Sequence, residues 1–193
     1  MTIAAILLAA GRSRRFGTAD KLAAPLGAWP LGLHAARMLA TLPLAARFVV
    51  SGPAALAWPG FETISNERPE AGLAHSIALG MAAVRRSGVG AVLIALADMP
   101  FVTAEHIARL LDRHSGPGTL VASSDGVHRM PPALFGADWF DALERLSGDR
   151  GAGRLLGQAE EVVASPEELL DIDTADDILR ARQMTSPESG AAS

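Results

Sequence analysis

Four stretches of the 193-residue chain carry side chains suited to polyanions and a hard cation. In Ala9-Ala10-Gly11-Arg12-Ser13-Arg14-Arg15-Phe16-Gly17, small residues let backbone N–H groups approach an anion. Three arginines within four positions, and Lys21 soon after, supply charge-assisted contacts to phosphate. The layout is neither of the common phosphate motifs. Five residues rather than four separate Gly11 from Gly17, Lys21 is displaced from Gly17, and the loop lacks G-x-G-x-x-G. By residue type alone, the stretch serves equally as a solvated loop with surface arginines. Asp98 ends the apolar run Val92–Ala97, and Met99-Pro100 stops the run there. A carboxylate so placed suits a hard cation such as Mg²⁺, which takes one or two carboxylates plus phosphate oxygens and water; it also suits a turn or cap. Asn66 and Gly72-Leu73-Ala74-His75-Ser76 form the third stretch, in which Gly72 opens a helix whose first N–H groups and Ser76 hydroxyl can face an anion. Ser76 and Gly80 fit plain packing as well. The fourth is Asp171-Ile172-Asp173-Thr174, where Asp173 or Thr174 makes a good helix N-cap without any ligand.

Short apolar runs stopped by turn formers must position these residues. Ile3–Ala9, Arg47–Val50 and Ala91–Ala97 read as strands buried on both faces, with Thr119–Ser123 and Glu161–Ala164 as weaker ones. Between them lie helical patterns. Pro30–Leu42 sets Leu33, Ala36, Arg37 and Ala40 on neighbouring turns, and Leu73–Arg86 aligns Ile77, Met81 and Val84. Thr103–His114 opens on an N-cap Thr and turns Ile107, Leu110 and Leu111 inward, and Trp139–Leu146 and Thr174–Met184 follow. The alternation predicts an α/β fold, a doubly wound and mostly parallel sheet flanked by helices, in one domain over 1–184, with 185–193 a disordered tail. Such a sheet presents functional residues at its strands' carboxyl ends, here Gly11 onward, Ser51-Gly52 and Asp98.

Composition narrows the function. The chain has no cysteine, which excludes disulfides, thiolate zinc sites, iron–sulfur clusters and cysteine nucleophiles. A net charge of −4 (17 basic against 21 acidic side chains) gives no polybasic surface for nucleic acid or an anionic membrane. No apolar run is long enough to span a bilayer, and the apolar start has no basic n-region, so a cytoplasmic location is expected. The five histidines form no metal constellation: His34, His106 and His114 read as surface or packing residues, and the three tryptophans as core or edge packing. No G-x-S-x-G elbow suggests a hydrolase.

The order Leu8-Ala9-Ala10-Gly11-x-Ser13-x-Arg15-x-Gly17, followed by Lys21, resembles the N-terminal signature of the nucleotidyltransferases that activate sugars, isoprenoid precursors and molybdopterin. Within them it is most similar to the MobA-like group, specifically the molybdenum cofactor cytidylyltransferases. Leu-Ala-Asp98-Met-Pro, Asn66 with Gly72-x-x-x-Ser76, and Ile172-Asp173-Thr174 follow in the expected order. Three residues separate Gly17 from Lys21 where two are usual, Phe16 replaces Met, and Met130 stands where Gly is usual in the acceptor-side segment Arg129–Phe135. Gly148-Asp149-Arg150-Gly151-Ala152 resembles another acceptor-side loop.

The resemblance implies a Rossmann-like nucleotidyltransferase fold and transfer of a nucleotidyl group from a nucleoside triphosphate to a phosphorylated acceptor, with release of pyrophosphate. Leu8, Ala9, Ala10 and Gly11 would hold base and ribose; Arg12, Ser13 and Arg15 the β- and γ-phosphates; Lys21 the α-phosphate. Asn66, Gly72 and Ser76 would form the second nucleotide segment, and Asp98 and Asp173 would hold Mg²⁺. Ala10, where guanylyltransferases usually have Gly, favours the smaller pyrimidine, so CTP over GTP with a molybdopterin-type acceptor and possible delivery to a molybdoenzyme. Three rival expectations stand: a guanylyltransferase or transferase on another phosphorylated small molecule; a non-catalytic accessory protein that carries cofactor or nucleotide; and a nicotinamide-binding domain, which the missing glycine motif disfavours.

Overall fold

A computed structural model describes residues 2–11, 20–52, 56–148 and 151–185. Seven strands form the main sheet: β1 (Ile3–Ala9), β4 (Ala46–Ser51), β5 (Glu62–Ser65), β6 (Ala91–Leu96), β7 (Leu120–Ser124), β8 (Arg129–Gly136) and β9 (Glu160–Val163). Their order is β5-β4-β1-β6-β8-β7-β9, parallel throughout except for β8, which runs antiparallel between β6 and β7. A two-stranded hairpin, β2 (Pro25–Leu26) and β3 (Trp29–Pro30), lies outside the sheet. The helices are α1 (Leu31–Ala40), α2 (Leu73–Ser87), α3 (Ala104–Asp112), α4 (Phe140–Glu144) and α5 (Ala175–Thr185).

The apolar runs of β1 and β6 belong to two cores at once, as strands buried on both faces must. Ala5, Leu7, Leu93 and Ala95 face the side packed by α1, α3 and α5, whereas Ala4, Ile6, Val92 and Ile94 face α2 and α4. The helix α2 lies very close to β1: a Cβ on Gly80 would stand 2.9 Å from Ile6. From β1 the sheet grows to β4 on one side and to β6 on the other. The ends of β1 and β6 therefore flank the point where strand order reverses, the place where open α/β sheets bind ligands.

The strand and helix expectations hold to within a few residues, with several corrections. In α1 the buried face is Leu31, Gly32, Ala35, Ala36 and Leu39; Leu33 is only partly buried and Arg37 is exposed. Arg37 lies instead over the Trp29 ring at 3.9 Å, and Trp29 is 42% exposed rather than core. In α3 His106 takes the inward place expected of Leu111. Thr185 closes α5, and the rest of the expected tail, 186–193, lies outside the described residues. Three elements are absent from the sequence reading: β5, the β2–β3 hairpin, and β8 with its two adjacent prolines.

Candidate active site

The site is assembled by backbone ladders before any side chain takes part. Ala97 N–H donates to Leu8 O (3.0 Å), which sets the end of β1 beside Asp98. Ile172 N–H donates to Asp98 O (2.9 Å), so the segment before α5 is laid against the end of β6. Lys21 opens a one-turn 3-10 helix, Lys21–Ala23, whose N-cap Asp20 accepts from Leu22 N–H. These contacts bring three elements distant in sequence to one spot.

There the Lys21 ammonium, on a residue only 6% exposed, donates to Asp98 Oδ2 (2.8 Å), Asp173 Oδ1 (2.9 Å) and Ile172 O (2.8 Å). Burial alone would lower the Lys21 pKa and is the largest single influence. The charges and hydrogen bonds of Asp98 and Asp173 together outweigh it, so the pKa is raised and Lys21 is a cation at any physiological pH. Asp171, partly desolvated by surrounding protein although its side chain reaches solvent, and repelled by Asp173 and Asp98, has its pKa pushed upward.

The cap ahead of α5 decides what Asp173 is free to do. Thr174 and Asp177 cap reciprocally: Thr174 N–H and Oγ1 donate to Asp177 Oδ2, and Asp177 N–H donates to Thr174 Oγ1. Capping therefore falls to Thr174 and Asp177, and the Asp173 carboxylate turns to Lys21.

Asp98 supplies the test of whether a metal fits. Its Oδ2 is held by Lys21, but its Oδ1 is buried with no hydrogen-bond partner among the described residues. An unpaired buried carboxylate oxygen is costly unless something binds it. No cluster of three or more His, Asp or Glu side chains suited to a metal occurs among the described residues. One Lys between two carboxylates leaves a net charge of −1, and two carboxylates are the donor set of a cation that keeps water and phosphate oxygens as its other ligands. Asp98 and Asp173 fit such an ion.

Beside them a cleft of about 140 Å³ is lined by Leu8, Ala9, Gly11, Lys21, Leu22, Leu73, Leu96 and Asp98. Its walls are largely apolar apart from the paired Lys21 and Asp98, which suits a flat ring beside a charged group. Ala10 is buried in the α2-side core and does not line the cleft. Gly72, at φ +88°, turns the chain into α2 and places Leu73 in the cleft wall. Asn66 and Ser76 lie behind that turn, both buried: Asn66 Nδ2 donates to Ser76 Oγ (2.9 Å), and Asn66 Oδ1 accepts from Arg68 N–H. They brace the turn and make these contacts within the protein. Ala74 N–H is taken by Gly148 O (3.3 Å), and a Cβ on Gly151 would meet Leu73 at 2.5 Å, so Gly148 and Gly151 back the same wall. Arg12, Ser13 and Arg15, like Asp149 and Arg150, lie outside the described residues. Sequence reading missed Leu22, Leu73 and Leu96, whose signal is ordinary apolar packing, and the Ile172 carbonyl, which has no side-chain signal at all.

Comparison with known proteins gives the chain its family. The family model described as the MobA-like NTP transferase domain matches residues 5–162. The chain belongs to this family. It is 31% identical over 200 residues to the purine catabolism protein PucB of Bacillus subtilis, covering 94% of this chain and 96% of that one. Among solved structures, Rv0371c of Mycobacterium tuberculosis superposes with a TM-score of 0.82 at 26% identity (95% and 98% covered), and a second crystal structure of it is a complex with manganese. A nucleotidyl transferase of Methanothermobacter thermautotrophicus matches in fold, with a TM-score of 0.81 at 22% identity (95% and 97% covered). As a MobA-like nucleotidyltransferase the chain takes a nucleoside triphosphate and a small-molecule acceptor. Among the described residues no helix is long and apolar enough to cross a membrane.

Proposed function

We propose that the protein transfers CMP from CTP to the terminal phosphate of a molybdopterin-type acceptor, with Mg²⁺ as the metal. The observation that carries the reading is the Lys21–Asp98–Asp173 cluster at the joined ends of β1 and β6, one wall of a cleft of ring size. An acceptor phosphate oxygen forms a bond to the α-phosphorus, the bond to the bridging oxygen breaks, and pyrophosphate leaves with that electron pair. The nucleophile is already an anion, so alignment and charge neutralisation are what the protein must supply. Two like charges 4 Å apart repel by about 4 kcal/mol at an effective dielectric of 20. In this reading Leu8 to Gly11 hold base and ribose, Arg12, Ser13 and Arg15 take the β- and γ-phosphates, and Lys21 faces the α-phosphate. Asn66, Gly72 and Ser76 shape the nucleotide side by holding the turn that carries Leu73. Asp98 and Asp173 would hold the cation, which when bound neutralises charge on the triphosphate.

CTP is preferred to GTP on the resemblance of the Leu8-Ala9-Ala10-Gly11 turn, in which Ala10 packs behind the cleft and would act on the base only through Ala9 and Gly11, and the acceptor on the strength of the acceptor-side segments Arg129–Phe135 and 148–152. A carrier that binds nucleotide or cofactor without chemistry is the second reading, favoured by PucB, whose name places that relative in purine catabolism. Pyrophosphate release with molybdopterin and each of CTP and GTP, with Mg²⁺ and with EDTA, separates the readings. CTP-dependent release supports the proposal, GTP-dependent release reassigns the base, and nucleotide binding without release favours the carrier.

A further inference from the structure

On the far side of β6 from the nucleotide cleft lies a buried polar relay that the chemistry above does not use. His106, on α3, is fully buried. Its Nδ1 lies 3.0 Å from Arg109 Nη2 and its Nε2 lies 2.7 Å from Ser123 Oγ, on β7. Ser123 Oγ in turn donates to Pro132 O (2.8 Å). Arginine can only donate, so Nδ1 accepts, Nε2 carries the hydrogen, and the direction Arg109 to His106 to Ser123 to Pro132 is fixed for a neutral imidazole.

The last acceptor shows what the relay holds. The β7–β8 register passes from Ala122↔Ala133 to Ser123↔Met130, which leaves Pro131 and Pro132 bulged out of the ladder. Proline has no N–H to give a ladder, so the Ser123 hydroxyl supplies a cross-strand bond there. Because β8 is antiparallel to β6 with Ile94↔Ala133, the residues preceding Ala133 run toward the carboxyl end of β6, where Asp98 stands. Arg129, paired with Glu161 at 2.6 Å, and Met130, packed against the core, thus lie at the site's edge, on the side of Asp98 away from β1.

We propose that His106 is a positioning residue for the acceptor: acting through Ser123, it fixes the Pro131–Pro132 bulge and with it the Arg129–Met130 edge against which the acceptor lies. This rests on the nucleotidyl-transfer reading. Three groups act on the imidazole: Arg109 from its own helix, Ser123 from β7, and the charge of Glu168, which accepts from Thr103 at the cap of α3. Burial, the largest influence, and Arg109 hold the imidazole pKa below its usual value against the pull of Glu168, so the relay is intact at neutral pH; acidification costs it the Arg109 end, where Nδ1 ceases to accept, and leaves the Nε2–H to Ser123 bond in place.

The test compares wild type with Ser123→Ala, His106→Leu and His106→Gln, whose amide can donate to Ser123 and accept from Arg109. The acceptor KM, kcat and nucleotide Kd are measured with molybdopterin and CTP, alongside amide hydrogen exchange over 129–134. Loss of one buried hydrogen bond predicts an acceptor KM raised about tenfold in Ser123→Ala and His106→Leu, with kcat and nucleotide Kd within about twofold, faster exchange over 129–134, and recovery in His106→Gln. A folded Ser123→Ala with unchanged exchange, or one with loosened exchange and unchanged acceptor KM, overturns the inference. A wild type inactive on molybdopterin overturns the proposed acceptor instead, while loosened exchange still supports the relay's hold on this edge.

Discussion

Replacing Lys21 with Met keeps the length of the side chain and removes the cation between Asp98 and Asp173. Breaking a fully buried ion pair costs about 3–5 kcal/mol, because the partner is left charged and unpaired. Here the Asp98 and Asp173 side chains are 23% and 45% exposed, so water recovers part of that loss. A net cost of about 2 kcal/mol follows, which in a chain of this size lowers Tm by about 4–8 °C. The raised pKa of Lys21 sets the pH range: a cation stabilised by folding contributes fully below its ordinary value of 10.5 and is lost only as pH climbs through the higher folded value, so the deficit is constant across neutral pH. The carboxylates left behind carry a net charge of −2 rather than −1. Divalent cations should therefore raise Tm more in Lys21→Met than in wild type, in proportion to RT ln(1 + [M]/Kd). Turnover should fall by about 100-fold or more, the scale of losing one preorganised charge contact in a transition state. Differential scanning calorimetry with and without Mg²⁺, beside pyrophosphate release, reads all three. An unchanged Tm would refute the hydrogen-bond geometry at Lys21. A lowered Tm with near-normal turnover would refute its place at the phosphates, and cations stabilising both proteins equally would refute the charge argument.

Gly80→Ala puts a methyl 2.9 Å from Ile6 in the wall between α2 and β1, and urea denaturation should show a loss of about 1–3 kcal/mol. Asp177→Ala removes the reciprocal cap of α5 and should cost about 1 kcal/mol in the same assay, with a rise in KM for nucleotide as the neighbouring Asp173 loosens. His106 is held neutral by the fold, so its contribution is complete above the ordinary value of 6.5 and is lost as pH falls from there through the lower folded value. Thermal melts of wild type should therefore decline on acidification through that range more steeply than those of His106→Gln. CTP with Mg²⁺ at 100 times its Kd should raise Tm by about 5–11 °C, an effect EDTA abolishes.

Where the chain announces itself is where one physical constraint dominates. The runs of β1 and β6 are buried on both faces and must be continuously apolar, so they and the switch point between them can be read directly, and with them Gly11 and Asp98. In contrast, β8 hides because Pro131-Pro132 argues against a central strand; the fold accommodates them in a bulge and lets Ser123 bond Pro132 O in place of a missing N–H. The face of α1 is misphased because small residues, Gly32, Ala35 and Ala36, do the packing and leave little contrast for a helical period. Asp173 reads equally as cap or ligand until Asp177 is seen to take the cap, a matter of side-chain rotamers rather than composition. Asn66 and Ser76 were legible as a pair with a purpose, but their bond to each other, with the turn braced ahead of them, required the fold.

The segment that completes the site lies beyond the 5–162 span of the family match. Ile172 supplies a carbonyl to Lys21, Asp173 a carboxylate, and the Ile172 N–H holds both against Asp98. α5 cannot be an appendage, because its far end is tied to the same element from the other direction: Arg182 donates to Pro25 O at 3.1 and 3.2 Å, just past the Lys21 turn, while Ile178 and Ala181 are sealed in the core. The Lys21 turn is thus clamped between the two ends of one helix. The position of its ammonium, which the proposed function sets facing the α-phosphate, depends on the segment leading into the C-terminal helix as much as on Asp98. A chain cut after Ala164 would keep the Gly/Arg loop and Asp98 yet leave Lys21 with one carboxylate and Leu169, Ile172 and their neighbours uncovered. That explains why the signature at the start of the chain, however well formed, cannot make the site alone.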